Sequence, residues 1–407
     1  MSDQKKALII GGGFGGVSSA LEILKLDPKN IKITLISDRP HFEYHGALYR
    51  LVSGKSPLEI CIPLREIFHG KPVEVLQDKI VDINLKKKVC LGESGAGHKY
   101  DYLILAVGNQ TSYLNISGLK KHSYGFKSIS EALKLKNHLH KTFEKAKKEK
   151  LISQKKSATH IVIIGGGSSG TELAAELSFY TKRLCINHGI NPKLAQIDLI
   201  HSKNRLIAEL PKDMSIKIQD RLKKLGVNLV LNNKVTKEDA KSVFLKNAKI
   251  KTNTLIWTAG ASTHHLHKNS KRFSFLNNKV QVNKHLQATG HKLVFVAGDN
   301  TNTKYSGMAQ TAIAHGKTIA RNIVNLENKT PLVPHAQKAP IYAVPVGSGW
   351  AATKVNNNVF YGSIGWLLRR YLDWKVFSYL LPTKKALTVF KNGRTLNETC
   401  FVCESKL

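Results

Sequence analysis

Two short glycine-rich stretches are where this chain could take hold of phosphate: "ALIIGGGFGG" at residues 7–16 and "IVIIGGGSSGTELAAEL" at residues 161–177. Each sets three glycines in the spacing GxGxxG. These are Gly11, Gly13 and Gly16 in the first, with Phe14 and Gly15 between them, and Gly165, Gly167 and Gly170 in the second. After a buried strand the first glycine permits a tight reversal, the second lets the backbone approach a pyrophosphate, and the third lets helix pack closely on strand. The helix that follows aims free N–H groups and its positive dipole end at the phosphates. Glycine loops are common, so one such turn means little. Two copies, each between an apolar β-rich run and an Ala/Leu-rich helical run, predict two dinucleotide sites.

The elements that must position these turns follow in order along the chain. Residues 1–117 alternate strands and helices and close with "YDYLILAVGN", a strand over Tyr102–Val107 that contains Ala106 and ends at Gly108. A helical stretch beginning "SISEALKLKNHL" leads into the second turn, and "AQIDLIHSKNRLI", "LKKLGVNLVLNNKV" and "NTLIWTAGA" supply further strands, the last closing at Ala259 and Gly260. "KLVFVAGDN" adds one more, ending at Gly298 and Asp299. This order predicts an α/β fold with two Rossmann-like dinucleotide-binding domains, the second inserted in the first. The expected boundaries are 1–117 with 262–335 for the outer domain, 118–261 for the inserted one, and 336–407 for a C-terminal region.

Composition bounds the class. A length of 407 residues with 42% hydrophobic content suits a soluble two-domain protein. No apolar run reaches the ~18 residues of a membrane span. The run after "MSDQKK" enters the glycine turn directly, which marks a core strand rather than a signal peptide and points to the cytoplasm. Cys61, Cys90, Cys185, Cys400 and Cys403 form no disulfide framework. The histidines, including the pair His264 and His265, show no ligand spacing, so no metal is expected. Net charge is +35, which favours polyanions such as an anionic membrane face; no nucleic-acid motif accompanies it, and Lys-rich runs such as "KTFEKAKKEKLISQKK" read as solvated helix and linker.

The nested order resembles the two-dinucleotide-domain flavoproteins, and "VFVAGD" with Thr289 upstream resembles their second FAD fingerprint. Taken with "IVIIGGGSSGTELAAEL", "LPKDMSIKIQDRLKKLGVNLVL", "LIWTAG" and "GMAQTAIAHGKTIARNI", the chain resembles type II NADH:quinone oxidoreductases over residues 5–325. The resemblance implies FAD in the outer domain, NADH or NADPH in the inserted one, and a quinone as acceptor. It implies that Asp299 meets the ribityl or pyrophosphate part of FAD, and that the glycine turn, Ala106 and Gly108 line the rest of that site. Ser37, Asp38 and Arg39 in "LISDRP" stand where the family offers an acid to the adenosine ribose. Ala259 and Gly260 would flank the nicotinamide nucleotide, and His201 in "LIHSKNRL" stands where a carboxylate usually selects NADH, leaving the preference open. Glu172, expected in the first turn of its helix, would approach nicotinamide and flavin. Gln310 would lie by the flavin and the quinone. The family pattern AQxAxQxG has a second glutamine where this chain has Ala314, with His315 beside it, and these two would complete the quinone contacts.

The C-terminal segment "GWLLRRYLDWKVFSYLLPTKKAL" has the residue mix of a membrane interface. At helical spacing Leu368, Tyr371, Leu372 and Tyr379 share one arc, opposite Arg369, Arg370 and Asp373, with Lys375 interrupting the apolar arc. The arc either docks on a membrane or packs on the protein's own core. The expectation is a peripheral enzyme on the inner face of the cell membrane, with NAD(P)H, quinone and the membrane surface as partners and a homodimer allowed. Two alternatives stay open. A sulfide:quinone or disulfide reductase needs cysteines at the flavin, whereas "HFEYHGALYRLVSG" has none. A dinucleotide-sensing basic binding protein needs only the charge.

Overall fold

The computed structural model describes residues 4–27, 29–264, 266 and 272–393; Cys400, Cys403 and His265 lie outside these. The chain forms two compact units, each drawing on three stretches of sequence. One contains the chain up to Glu43, Ile62–Gln110 and Ser262–Pro340; the other contains Tyr44–Cys61, Thr111–Ala261 and the chain from Ile341 onward.

The first unit is built on five parallel strands in the order Val294–Val296, Tyr102–Leu105, Lys5–Ile10, Ile31–Ser37, Val73–Gln77. The apolar runs make the central strands buried on both faces, as a parallel sheet requires. On one face lie the helices Phe14–Leu26 and Ala309–Glu327, which pack so closely that a Cβ on Gly316 would sit 2.9 Å from the Gly15 carbonyl oxygen. On the other, Leu8, Ile10, Leu103 and Leu105 form one core with Ile80, Ile83 and Cys90 of an antiparallel meander, Ile80–Asn84, Val89–Gly92 and Gly97–Lys99. The strand expected over Tyr102–Val107 stops at Leu105, two residues earlier than its hydrophobicity suggests.

The second unit repeats the plan. Its parallel order is Tyr124–Gly125, Thr254–Trp257, His160–Ile164, Gln196–Ile200, Val227–Val230, and its meander runs Val235–Asp239, Ser242–Leu245, Lys249–Lys251. Val162, Ile164, Leu255 and Trp257 meet Val235, Val243 and Leu245 in its core. The helix Ile129–Lys148 starts at an N-cap, the Ser128 hydroxyl accepting from the Glu131 N–H at 3.2 Å while the Glu131 carboxylate accepts from the Lys127 N–H at 2.6 Å. This unit also holds a small antiparallel sheet, Tyr342–Pro345, Ala351–Val355 and Asn358–Phe360, and the helices Gly362–Leu380 and Thr383–Asn392.

The helix Gly362–Leu380 is inside out. Arg369, Arg370 and Asp373, the side opposite the expected apolar arc, are buried, while Ile364, Leu367 and Tyr371 are 59%, 66% and 56% exposed. Leu368, Leu372 and Tyr379 are half-buried at the flanks, and Lys375 lies outside with its ammonium 5.8 Å from the Tyr371 ring centre.

Candidate functional site

Both glycine turns lie at the carboxyl ends of the central strands, where ligands of open α/β sheets bind. In the first, Gly11 has φ +114°, a conformation that side chains avoid. A Cβ there would meet the Ala106 carbonyl oxygen at 2.3 Å, and one on Gly16 would meet the Gly11 carbonyl oxygen at 1.9 Å. A Cβ on Gly13 would meet nothing within 4 Å. The second turn behaves alike: Gly165 at φ +119° abuts Thr258 and Ala259, Gly170 abuts the Gly165 carbonyl, and Gly167 is open. So the outer glycines of each triplet hold the turn together, and the middle one leaves an open cradle that a side chain would fill. Neither following helix, Phe14–Leu26 nor Ser168–Asn187, has a side-chain cap or an acidic residue in its first turn. Their leading N–H groups and dipoles are thus left to an anion.

Around the first cradle, Phe14 stacks edge-on against Phe42 at 4.8 Å, and Gly15 has Ala297 within 2.9 Å of its would-be Cβ. Ser37 ends its strand buried, its hydroxyl accepting from the Arg39 N–H at 3.2 Å and lying close to Gly12. Asp38 is exposed, and Arg39 is committed to Glu43 at 2.7 Å. Asp299 sits in the turn Gly298–Asn300, its carboxylate accepting from Asn109 Nδ2 at 3.1 Å, while Asn300 Nδ2 donates to the Gly108 carbonyl at 2.6 Å. His315 stands behind this turn, fully buried. Its Nδ1 accepts the Gly298 N–H at 3.1 Å and its Nε2 lies 3.2 Å from the Thr303 hydroxyl. Burial, helped by the neighbouring His335, holds its pKa down at about 3. A neutral ring in that position braces the Asp299 turn and leaves no face for a quinone. Ala314 and Gln310, one helical turn apart, are partly exposed.

At the second cradle the Gly166 N–H donates to His201 Nδ1 at 3.1 Å, which leaves the proton of the neutral ring on Nε2. Burial, then Lys203, pushes the His201 pKa down; Ser202 and Lys203 are exposed. Gly260, at φ +84°, packs against the Ser112 carbonyl, with half-buried Ala259 before it. Glu172 is the fifth residue of its helix, in the second turn rather than the first, so it does not serve as a dipole complement. Although it keeps some exposed surface, desolvation dominates its carboxyl and raises the pKa to about 8, against the opposing charges of Arg369 and Arg50.

The family model for pyridine nucleotide-disulphide oxidoreductases matches residues 5–316, most of the chain. The chain belongs to this family. Among its relatives, the type II NADH:quinone oxidoreductase of Mycobacterium tuberculosis is 28% identical over 94% of this chain and 86% of its own length. The demethylphylloquinone reductase of a Synechocystis species is 29% identical over 97% of both chains. NDH2 of Plasmodium falciparum, solved in complex with NADH, shares the fold with a TM-score of 0.84 at 20% identity, over 96% of this chain and 98% of that one.

Despite the family's name, this pyridine nucleotide-disulphide oxidoreductase keeps Cys61, Cys90 and Cys185 buried and free. Burial pushes the Cys90 and Cys185 thiols up to about 12 and about 11, which leaves them protonated and inert. Among the described residues no group of three or more His, Cys, Asp or Glu is placed to hold a metal. The second unit of the oxidoreductase carries a feature that motif reading misses. Arg50, Arg369 and Arg370 are buried with Glu59, Asp373 and Tyr44. Arg50 reaches Glu59 at 2.6 Å and Asp373 at 3.4 Å, Arg370 reaches Glu59 at 2.5 Å and Asp373 at 2.8 Å, and Arg369 and the Tyr44 hydroxyl both bond Asp373. Its members come from two distant segments, residues 44–59 and 369–373; the pair Arg369, Arg370 in an apolar helix was the sole signal.

Proposed function

We propose that this chain is an FAD-dependent NAD(P)H:quinone oxidoreductase that works at a membrane surface. The observation that carries this reading is the pair of open cradles at Gly13 and Gly167, on two separate parallel sheets of one chain. One nucleotide then delivers a hydride and the other receives it. Relatives whose names state quinone reduction, matched along nearly the whole chain, support quinone as the acceptor.

The residues of the first unit fit FAD. Its pyrophosphate would lie over Gly13, with Asp299 and Ser37 or Asp38 accepting from hydroxyls, and the His315 brace holding Asp299 in place. When bound, FAD supplies the redox chemistry, taking a hydride from the nicotinamide and passing two electrons on. NAD(P)H would lie over Gly167, with Gly165, Gly170, Ala259 and Gly260 shaping the turn. His201 offers an Nε2–H donor and no negative charge there, so a 2′-phosphate meets no repulsion. Reducing a quinone to quinol consumes two electrons and two protons, of which the hydride brings one proton. Glu172, protonated near neutrality, is suited to hold the other, and Gln310 and Ala314 to border the acceptor. The outward row Ile364, Leu367 and Tyr371 would enter the interfacial layer of a membrane. No helix among the described residues is long and apolar enough to cross one.

Anaerobic spectroscopy of the purified protein tests this. A stoichiometric flavin bleached by NADH or NADPH and restored by a quinone is expected. Absence of flavin, or reoxidation by sulfur compounds but not quinones, would overturn the reading. Replacing Glu172 or Gln310 by Ala is expected to slow quinone turnover with flavin content unchanged; wild-type rates across several quinones would remove both residues from the site.

A further inference from the structure

In the second unit the helix Lys212–Lys224 packs against the strand Ala351–Val355. Lys217, Asp220, Arg221 and Lys224 of that helix line a cleft of about 320 Å³ together with Trp350, which precedes the strand, and Tyr361, which precedes the helix Gly362–Leu380. Three cations stand here against one carboxylate, so the cleft carries an excess of positive charge. Among the described residues none of the three cations has an ion-pair partner. Arg221 and Lys224 lie in the last turn, where they also offset the negative end of their helix, but Lys217 stands before that turn and has no such duty.

The walls of the cleft are held in place. Arg221 donates its Nε–H to the Val346 carbonyl at 3.5 Å, and its guanidinium carbon lies 5.8 Å from the Trp350 ring centre. The Val346 N–H in turn donates to the Trp350 carbonyl at 3.0 Å, so one turn of chain fixes both the cation and the indole. The Trp350 and Tyr361 rings have centres 6.2 Å apart and are tilted by 35°. The indole stands at the start of the next helix, its Nε1 3.9 Å from where a Cβ on Gly362 would sit. That helix begins without an acid in its first turn and carries the outward residues Ile364 and Leu367 immediately beyond. Lysine and arginine beside tryptophan and tyrosine, at the head of an outward apolar row, are the residues that meet phospholipid headgroups.

We propose that this cleft binds the phosphate of an anionic phospholipid headgroup, held by Lys217, Arg221 and Lys224 between the rings of Trp350 and Tyr361. The excess of cations over Asp220 selects a lipid of net negative charge and repels the choline of a zwitterionic one. This rests on the membrane-surface reading of the outward row, and it adds a specific contact where net charge supplies only a diffuse attraction.

The test is a calorimetric titration of the full-length protein with dihexanoyl phosphatidylglycerol below its micelle concentration. This probe presents the headgroup without a membrane, so failure here stands apart from failure to bind vesicles, which flotation with phosphatidylglycerol-containing vesicles measures separately. Saturable binding is expected, with dihexanoyl phosphatidylcholine weaker by about tenfold or more. Lys217→Gln with Arg221→Gln should weaken phosphatidylglycerol by about tenfold or more, since each cation at a headgroup contributes a few-fold. Lys145→Gln with Lys147→Gln removes the same charge from the exposed face of the helix Ile129–Lys148 and should change the affinity by less than about twofold. No saturable binding, or a cleft variant that binds no worse than this control, overturns the proposal. So does inorganic phosphate or AMP binding as tightly as the lipid, which would make the cleft a site for soluble phosphates. If the cleft variant does not fold, Lys217→Glu with Lys224→Glu, both exposed, decides: lost binding supports the headgroup site and unchanged binding overturns it.

Discussion

At the scale of single residues, the glycines of each turn divide their work in a way that substitution can separate. A valine at Gly13 meets open space in the protein and only occupies the cradle, so the fold should survive and flavin binding should be lost. A valine at Gly16 would place its Cβ 1.9 Å from the Gly11 carbonyl oxygen, so that variant should fail to fold at all. Absorbance and circular dichroism of the two purified proteins distinguish these outcomes; a yellow Gly13→Val protein would remove the first cradle as the flavin site. His201 is tied to the turn by the Gly166 N–H and carries no negative charge, so NADPH should be used at a rate comparable to NADH. Because Lys203 is exposed, its help to a 2′-phosphate is worth roughly 0.2–1 kcal/mol, a few-fold at most. His201→Glu should shift the ratio of kcat/KM toward NADH by weakening NADPH, measured at fixed ionic strength; a wild type that rejects NADPH a hundredfold would place the discrimination elsewhere. His315 gives a pH signature. Its pKa in the folded protein, about 3, lies below its ordinary 6.5, so below pH 6.5 the unfolded chain binds a proton that the folded one refuses. Stability on this account is complete above pH 6.5 and declines as the pH falls toward 3. His315→Gln should flatten that part of the stability curve in thermal melts, and an unchanged slope would mean the ring is not the group responsible.

At the scale of elements, the helix Gly362–Leu380 turns its charged side toward the protein, a choice that its sequence leaves open. Periodicity correctly separates its apolar arc from Arg369, Arg370 and Asp373, but cannot tell which side faces protein. The decision is made by partners far away: Glu59, Arg50 and Tyr44 offer the charged side a fully bonded setting, so the helix turns it inward. An apolar face left outside is unfavourable in water and suits a lipid interface. Burying a leucine or isoleucine side chain there is worth about 1.5–3 kcal/mol. Changing both Ile364 and Leu367 to Ser should therefore weaken sedimentation with anionic vesicles by well over tenfold, with flavin content and turnover of a water-soluble quinone unchanged. Equal binding by the double variant would assign membrane contact to another surface.

At the scale of the whole molecule, the +35 charge should make vesicle association fall with salt and require anionic lipid, whereas the apolar row contributes a salt-resistant remainder. Binding that is indifferent to lipid charge would mean the excess of lysine is compositional. The repeated plan of the two units explains how far the sequence could be read. The glycine triplets, the strands that feed them and the return of "VFVAGD" to the first sheet are local patterns, set by steric demands within a few residues, and they were legible without coordinates. The position of Glu172 in the second turn, the brace of His315 behind Asp299 and the inward charges of the C-terminal helix were not. The first depends on where the helix begins, the second on a turn folding back over a neighbouring helix, and the third on partners hundreds of residues away. Local sequence determines that a turn can hold phosphate and that a helix has two faces; burial and charge compensation, which exist only once distant segments are packed together, decide which groups are shielded from water and what chemistry that shielding gives them.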